Sequence, residues 1–371
     1  MKEAEWKFWV LDTEHPQRFV SVVADSKGNP HIVYFDEKNR GGLRYFTSKS
    51  SGISLIDDII YYFKGREWVQ EVVDRRPNVG MFISMAIDSK DNLHVSYQDS
   101  TLGRERLLYA FFDGSWKIEE VDKAEESGIN VGMYSSISLL EDKPIIFYHT
   151  EQGRKFGYAI KTNLGWEKKE LERGVGWLTS SDSCNKKTFV AYRERDERGI
   201  LFGILKDGKY ESKRLGVNTS SGISLKTLNC EAYIAYFDDS KSEVRFGKAE
   251  DFNPVKVGEG KLSRLSLATS SQGFHIVYHF YEKGLRYAFS KDGLNWGVKI
   301  LDPGRRDGEY NSIAVDKKGN IHIAYLNETA LKYAEFNVSS VEAVKNLVVF
   351  MFFLFLILGF VFAILSISKK K

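Results

Sequence analysis

Ser312-Ile-Ala-Val-Asp316, the turn Lys-Lys-Gly-Asn, His322-Ile-Ala-Tyr325 and Leu331-Lys-Tyr-Ala334 follow one another near the C-terminal end of this chain. They read as three short strands separated by turns, because brief runs rich in Val, Ile, Tyr and Phe and bounded by Gly, Asn and Asp are strand signals. An earlier copy, Ile83-Ser-Met-Ala-Ile-Asp88, His94-Val-Ser-Tyr97 and Leu108-Tyr-Ala110, is followed by a fourth run from Trp116 to Asp122. The repeating unit therefore has four strands, and little in residues 1 to 338 has a helical period.

One tyrosine marks the second strand of each unit: Tyr34, Tyr97, Tyr148, Tyr192, Tyr236, Tyr278 and Tyr325. Their spacings of 63, 51, 44, 44, 42 and 47 residues lie mostly in the range of propeller blades, whose four-stranded sheets pack radially around a channel. The long first interval places an insertion at residues 47 to 64 of blade one, with an apolar run from Ile53 to Phe63. The seventh unit has only three strands, but Trp6-Lys-Phe-Trp-Val-Leu-Asp12 keeps the register of Trp68 and Asp74, Trp116 and Asp122, and Trp296 and Asp302. Residues 6–12 are therefore expected to complete the last blade, which removes the unpaired sheet edges of an open array. The expected fold is all-β, a seven-bladed β-propeller closed by the N-terminal strand. The residue before the tyrosine is small in most units, so that large faces meet small ones between blades, but Phe147 departs from that rule.

The repeat makes one ring of the first 338 residues, followed by a short linker at 339–346, a stretch at 347–368 and a basic tail at 369–371. Leu347 to Ser368 carries no charge and is long enough to cross a hydrocarbon core, so a single-pass transmembrane helix and contact with the lipid bilayer are expected. Two rules then conflict over which side the ring faces. Lys369, Lys370 and Lys371 favour a cytoplasmic C-terminus and an external ring. Met1-Lys-Glu-Ala-Glu-Trp6 has no apolar signal-peptide core, which favours a cytoplasmic ring.

Fifty-three basic residues are interspersed with fifty acidic ones, without the basic footprint that nucleic acid requires, so no nucleic-acid partner is expected. Cys184 and Cys230 fall near the first hairpins of the adjacent blades four and five, where they could approach each other; a disulfide demands Cα atoms within about 7 Å, and two unpaired small residues is the favoured reading. His31, His94, His275 and His322 open the second strand of four blades, but Ile145, Phe189 and Tyr233 hold that place elsewhere, which suits packing rather than metal ligation. The turns after Asp25, Asp88 and Asp316 lack the carboxylate pattern of a calcium loop and read as hairpin turns with Gly or Asn in a left-handed conformation. No metal and no cofactor is expected. Arg44, Arg245, Arg286 and Lys332 recur at one register of the third strand and read as ion-pair positions.

Functional candidates should lie where the copies differ. The loops that join blade to blade share one face of a propeller, and here they give Arg18, Phe19, Arg75, Arg76, Phe82, Tyr134, Trp177, Arg264, Arg305, Arg306 and Tyr310. Loops between second and third strands add His149, Arg193 and His279. An aromatic and basic mouth with carboxylates around it suits a polar or anionic ligand.

Ser290-Lys-Asp-Gly-Leu-Asn-Trp296 resembles the Asp box of BNR-repeat, sialidase-like propellers, with Phe112-Asp-Gly-Ser-Trp116 and Asn163-Leu-Gly-Trp166 as weaker versions. The copy at Ser290 lacks one residue between Asp and Gly and has Asn295 where Thr is usual. The resemblance implies a propeller in which these turns are structural, and it implies for an enzyme three convergent arginines, an acid and a tyrosine nucleophile paired with glutamate. No catalytic residue is carried over from it. Three readings follow. The first is a membrane-anchored, non-enzymatic binding or scaffolding module with a protein or glycan ligand. The second is a sialidase-like glycan hydrolase or lyase, with Tyr310 beside Glu309 or Glu328. The third is an envelope-assembly factor that offers the insertion to a partner.

Overall fold

The computed structural model describes residues 6–14, 16–36, 42–48, 65–124, 129–151, 154–261, 264–327 and 329–338, together with Val349 and Phe353; Pro16 and Gln17 are described by backbone alone. Its strands form seven four-stranded antiparallel sheets, each built from strands consecutive in sequence except the last. In that sheet Trp6–Asp12 lies outside Leu331–Phe336, with Trp6 opposite Phe336 and Val10 opposite Lys332. The seven-bladed ring and its closure by the N-terminal strand are therefore as the repeat implies. No helix among the described residues is long and apolar enough to cross a membrane, and the expected span at 347–368 lies outside them apart from Val349 and Phe353. The insertion also lies outside them, between Ser48 and Gly65.

Each apolar cluster is shared by two blades: Tyr34 and Phe46 of blade one meet Leu326 and Tyr333 of blade seven, and Tyr45 of blade one meets Tyr97 of blade two. Phe147 is buried against Phe156 and Tyr158, with ring centroids 6.0 and 5.7 Å away, so its bulk fills the interior between blades three and four.

The repeated tyrosine is also a latch. Tyr34 donates to Asp12 at 2.6 Å, Tyr97 to Asp74 at 2.9 Å, Tyr148 to Asp122 at 2.7 Å and Tyr325 to Asp302 at 3.0 Å. In every case the acid lies at or next to the end of the outermost strand of the preceding blade, which explains the constant spacing of Trp and Asp. Tyr192 uses Glu172 instead, and Gly258 takes the acid's place before Tyr278, whose hydroxyl fills the space a side chain there would need.

A second ring of latches lies at the channel. Ser21, Ser84, Ser136, Ser180, Ser224, Ser266 and Ser312 hold one register on the seven innermost strands. Six of their hydroxyls accept a backbone N–H from the next blade: Ser312 from Val22, Ser84 from Ile137, Ser136 from Ser181, Ser180 from Leu225, Ser224 from Leu267 and Ser266 from Ile313, at 2.8 to 3.3 Å. They line a channel cavity of about 310 Å³.

Cys184 and Cys230 are bonded to each other, with Cα atoms 5.4 Å apart, which corrects the reading of two unpaired residues. They are 46 residues apart, about one blade repeat, so they occupy near-equivalent turns of neighbouring blades that the ring brings side by side. The four histidines serve the scaffold: their Nδ1 atoms lie 2.6 to 2.8 Å from the hydroxyls of Tyr45, Tyr109, Tyr287 and Tyr333. Their Nε2 atoms face Asp25, Asp88, Ser270 and Asp316. The turns beside them place Gly28, Asp91 and Gly319 at positive φ. Arg44 pairs with Asp36, Arg245 with Glu243, and Lys332 with Asp302 and Asp307, whereas Arg286 lies over the Phe280 ring.

Candidate functional site

The residue two places before each channel serine lies within or just before the innermost strand, toward the mouth, and around the ring it is Phe19, Phe82, Tyr134, Leu178, Gly222, Arg264 and Tyr310. In blades one to four this residue has φ between 52° and 55°, left-handed values that a bulky side chain seldom adopts, and it sits at a break in strand register. Gly80, Gly132 and Gly176, at φ of 108°, 85° and 101°, precede three of these bulges. The extra residue turns the strand so that consecutive blades present their rings to one another rather than to the sheet face.

The outcome is a continuous arc of half-buried rings. Tyr310 meets Phe19 at 5.3 Å between centroids, Phe19 meets Phe82 at 4.8 Å, Phe82 meets Tyr134 at 4.6 Å and Tyr134 meets Trp177 at 5.0 Å. Guanidinium groups cap both ends: Arg264 lies 4.3 Å over Tyr310, while Arg193 and Arg195 lie 5.5 and 5.9 Å over Trp177. The arc is open at blades five and six, where Gly222 brings no side chain and Arg264 is exposed. A cavity of about 180 Å³ lies across the channel mouth and reaches that gap, with Leu178, Gly222, Arg264, Tyr310 and Asn311 in its wall and Phe19 and Ile83 on its far side.

Three polar atoms here are buried without a hydrogen-bond partner: Arg193 Nε, Trp177 Nε1 and Asn311 Oδ1. Asn311 is held in place by its Nδ2, which donates to the carbonyls of Arg264 and Gly308, so its Oδ1 is left over. Buried polar groups are nearly always paired, and unpaired ones at a concave mouth point to a ligand that completes them. Burial holds the Tyr134 phenol above its ordinary value although Arg193 and Arg264 both act to lower it. Burial likewise lowers Arg193, against the pull of Tyr134. Both arginines thus act on one tyrosine from opposite ends of the arc. No described carboxylate hydrogen-bonds the hydroxyl of Tyr134 or Tyr310, and Glu328 lies outside the described residues.

The other candidates stand back from the mouth. Arg76 grips Asp74, the acid that latches Tyr97, at 2.6 Å, and Arg305 pairs with Glu282. Arg18, Arg75 and Arg306 are exposed on the same face. His149 donates from Nδ1 to the Val175 carbonyl at 2.9 Å, and Gln98 donates to that of Val131, so this position braces the next blade's inner strand. Burial keeps His149 and His279 below the ordinary imidazole value. Arg193 holds the equivalent position in blade four and covers Trp177 instead. Leu178, Gly222, Arg195 and Asn311 are the mouth residues that the loop comparison missed. A serine 12 or 13 residues before each repeated tyrosine would have found two of them, because it fixes the inner-strand register.

No family model matches this sequence, and neither does any curated protein sequence. Among solved structures the chain is similar to the polysaccharide lyase Uly1, at 10% identity and a TM-score of 0.55 over 86% of this chain and 89% of that one. It is similar to the Trypanosoma rangeli sialidase at 11% identity and a TM-score of 0.50, over 90% of this chain and 56% of that one. The lectin SapL1 aligns at 12% identity and a TM-score of 0.47, over 79% of this chain and 98% of that one. At these identities the likeness shows the sialidase-like propeller fold alone.

Proposed function

We propose that this protein is a binding module for a glycan that carries acidic groups, seated at the channel mouth and held at a membrane surface by residues 347–368. The observation that carries this reading is one place where an aromatic arc meets unpaired polar atoms. A sugar ring has apolar C–H faces that stack on aromatic rings and hydroxyls that need donors and acceptors, and the mouth supplies both. Arg193 and Arg264 at its ends suit carboxylates, which a guanidinium binds through paired hydrogen bonds.

Binding is favoured over turnover by the state of Tyr134. A nucleophilic phenol needs a base to take its proton, and burial moves Tyr134 the other way. The hydrolase or lyase reading is the alternative, supported by the two arginines that act on Tyr134. Membership of the BNR family is supported by the turn at Ser290, where Asp292 accepts the N–H groups of Leu294 and Asn295 as a structural Asp box would.

The disulfide bears on the side the ring faces. Such bonds persist in oxidising compartments, so a ring outside the cytoplasm agrees with both Cys184–Cys230 and the lysines at 369–371. Maleimide labelling with and without reductant checks this, and thiols in freshly isolated protein that react without reduction would count against it.

Calorimetric titration of the detergent-solubilised chain with short uronic-acid oligosaccharides tests the site. Trp177→Ala and Arg193→Ala are each expected to weaken binding about ten- to a hundredfold, the cost of one good polar or stacking contact. Arg75→Ala should leave it unchanged. Equal affinity in all four proteins would sink the proposal.

A further inference from the structure

The gap in the aromatic arc has a continuation. Between blades five and six, on the same face, lies an open cleft of about 580 Å³ whose walls include Lys241, Lys256, Lys261, Lys283, Phe280 and Tyr281. We infer that this cleft is a second, anion-binding subsite, and that the ligand of the mouth is an extended polyanionic polysaccharide that leaves through the gap at blades five and six. The inference rests on the glycan reading of the mouth and adds the ligand's length, charge and direction.

Three observations carry it. The first is continuity: the loop after blade five places Lys261 in the cleft and Arg264 in the mouth cavity. Three residues span at most about 11 Å, so a single chain reaches from one to the other. Both ends of that loop are fixed, because Lys261 accepts the N–H of Tyr281 and Arg264 accepts that of His279.

The second is charge. The cleft contains Glu243, Glu259 and Glu282, but Glu243 is matched by Arg245 and Lys256, and Glu282 by Arg305. Lys241, Lys261 and Lys283 have no carboxylate within salt-bridge distance among the described residues. Four lysines against the three glutamates, Glu259 included, leave the lining net positive by one, and the ammonium groups of Lys241, Lys261 and Lys283 remain available to an anion.

The third is the pairing of two of these ammonium groups with rings. Lys261 Nζ lies 5.5 Å from the Tyr281 ring centroid and Lys283 Nζ lies 4.7 Å from that of Phe280. A half-buried ring beside a cation repeats the chemistry of the mouth, where Arg264 lies over Tyr310 and Arg193 over Trp177. An acidic sugar fits both, its face on the ring and its carboxylate on the cation.

Galacturonate oligomers of two and eight units, titrated into the full-length chain in detergent, test this directly. The octamer is expected to bind at least about tenfold more tightly than the dimer, since occupation of a second site is intramolecular once the first is filled. In Lys261→Ala/Lys283→Ala that advantage should shrink to about twofold, with dimer affinity and melting temperature unchanged. An octamer advantage that survives the double substitution, or no advantage in the parent, overturns the inference. A glutamate octapeptide that binds as tightly as the octasaccharide overturns the choice of ligand. Dimer binding that survives Trp177→Ala instead removes the reading of the mouth, so the two failures are separable.

Discussion

Tyr148 and Asp122 show what the repeat conserves within itself. The phenol is buried, its hydroxyl donates at 2.7 Å to an acid of the previous blade, and the tie between neighbours is both apolar and polar. Tyr148→Phe should therefore destabilise by about 1–3 kcal/mol, because the deeper carboxylate oxygen loses a buried donor, and urea unfolding would measure it. The recurrence of tyrosine was legible in the sequence, as was the Trp and Asp spacing, but the hydrogen bond joining them was not, since it links residues of different repeats. His275 yields a second expectation. Burial brings its imidazole down to about 4, whereas in an unfolded chain it titrates near ~6.5. Between those values the unfolded chain binds a proton that the fold refuses, so stability is full above about pH 6.5 and falls as pH drops toward 4, by on the order of 3 kcal/mol. Melting temperature should drop over that window, and His275→Gln should flatten the slope. An identical slope in the variant would contradict the assignment.

At the scale of the element, the innermost strands combine two demands. Their serines bind the next blade through the backbone, and in blades one to four the residue two places earlier bulges to build the mouth. Ser136→Ala leaves the Ser181 N–H without its partner and should cost about 1–2 kcal/mol while leaving ligand affinity unchanged. Strands and turns were readable because period, composition and bounding residues are local properties. The bulges were not, because Phe82, Tyr134 and Leu178 occupy left-handed conformations that local preference argues against. The aromatic and basic character of the mouth was visible as divergence among loops, but divergence alone also drew in Arg76 and Arg305, which are engaged in pairs of their own. Cys184 and Cys230 lie about one repeat apart in adjacent blades, which the sequence shows, but that the two turns come within bonding distance depends on how the blades pack side by side.

The whole molecule is a closed belt whose clasp joins the two ends of the repeat. Trp6–Asp12 supplies the outer strand of blade seven, and across the seam Arg66 of blade one forms a two-pronged pair at 2.6 Å with the fully buried Glu335 of blade seven. Removing residues 1–12 would bare the Leu331–Phe336 strand and take Asp12 from Tyr34, so the truncated chain should aggregate or melt well below the parent. Closure also brings Tyr310 of blade seven beside Phe19 of blade one, which completes the arc. A crystal structure of the protein with an acidic oligosaccharide bound is the most direct test of that arc as a binding surface. Sugar density stacked against the exposed side of the arc at Tyr134 and Trp177, with a carboxylate on Arg193 or Arg264, is the expected result; density confined to the opposite face or the outer strands would contradict it.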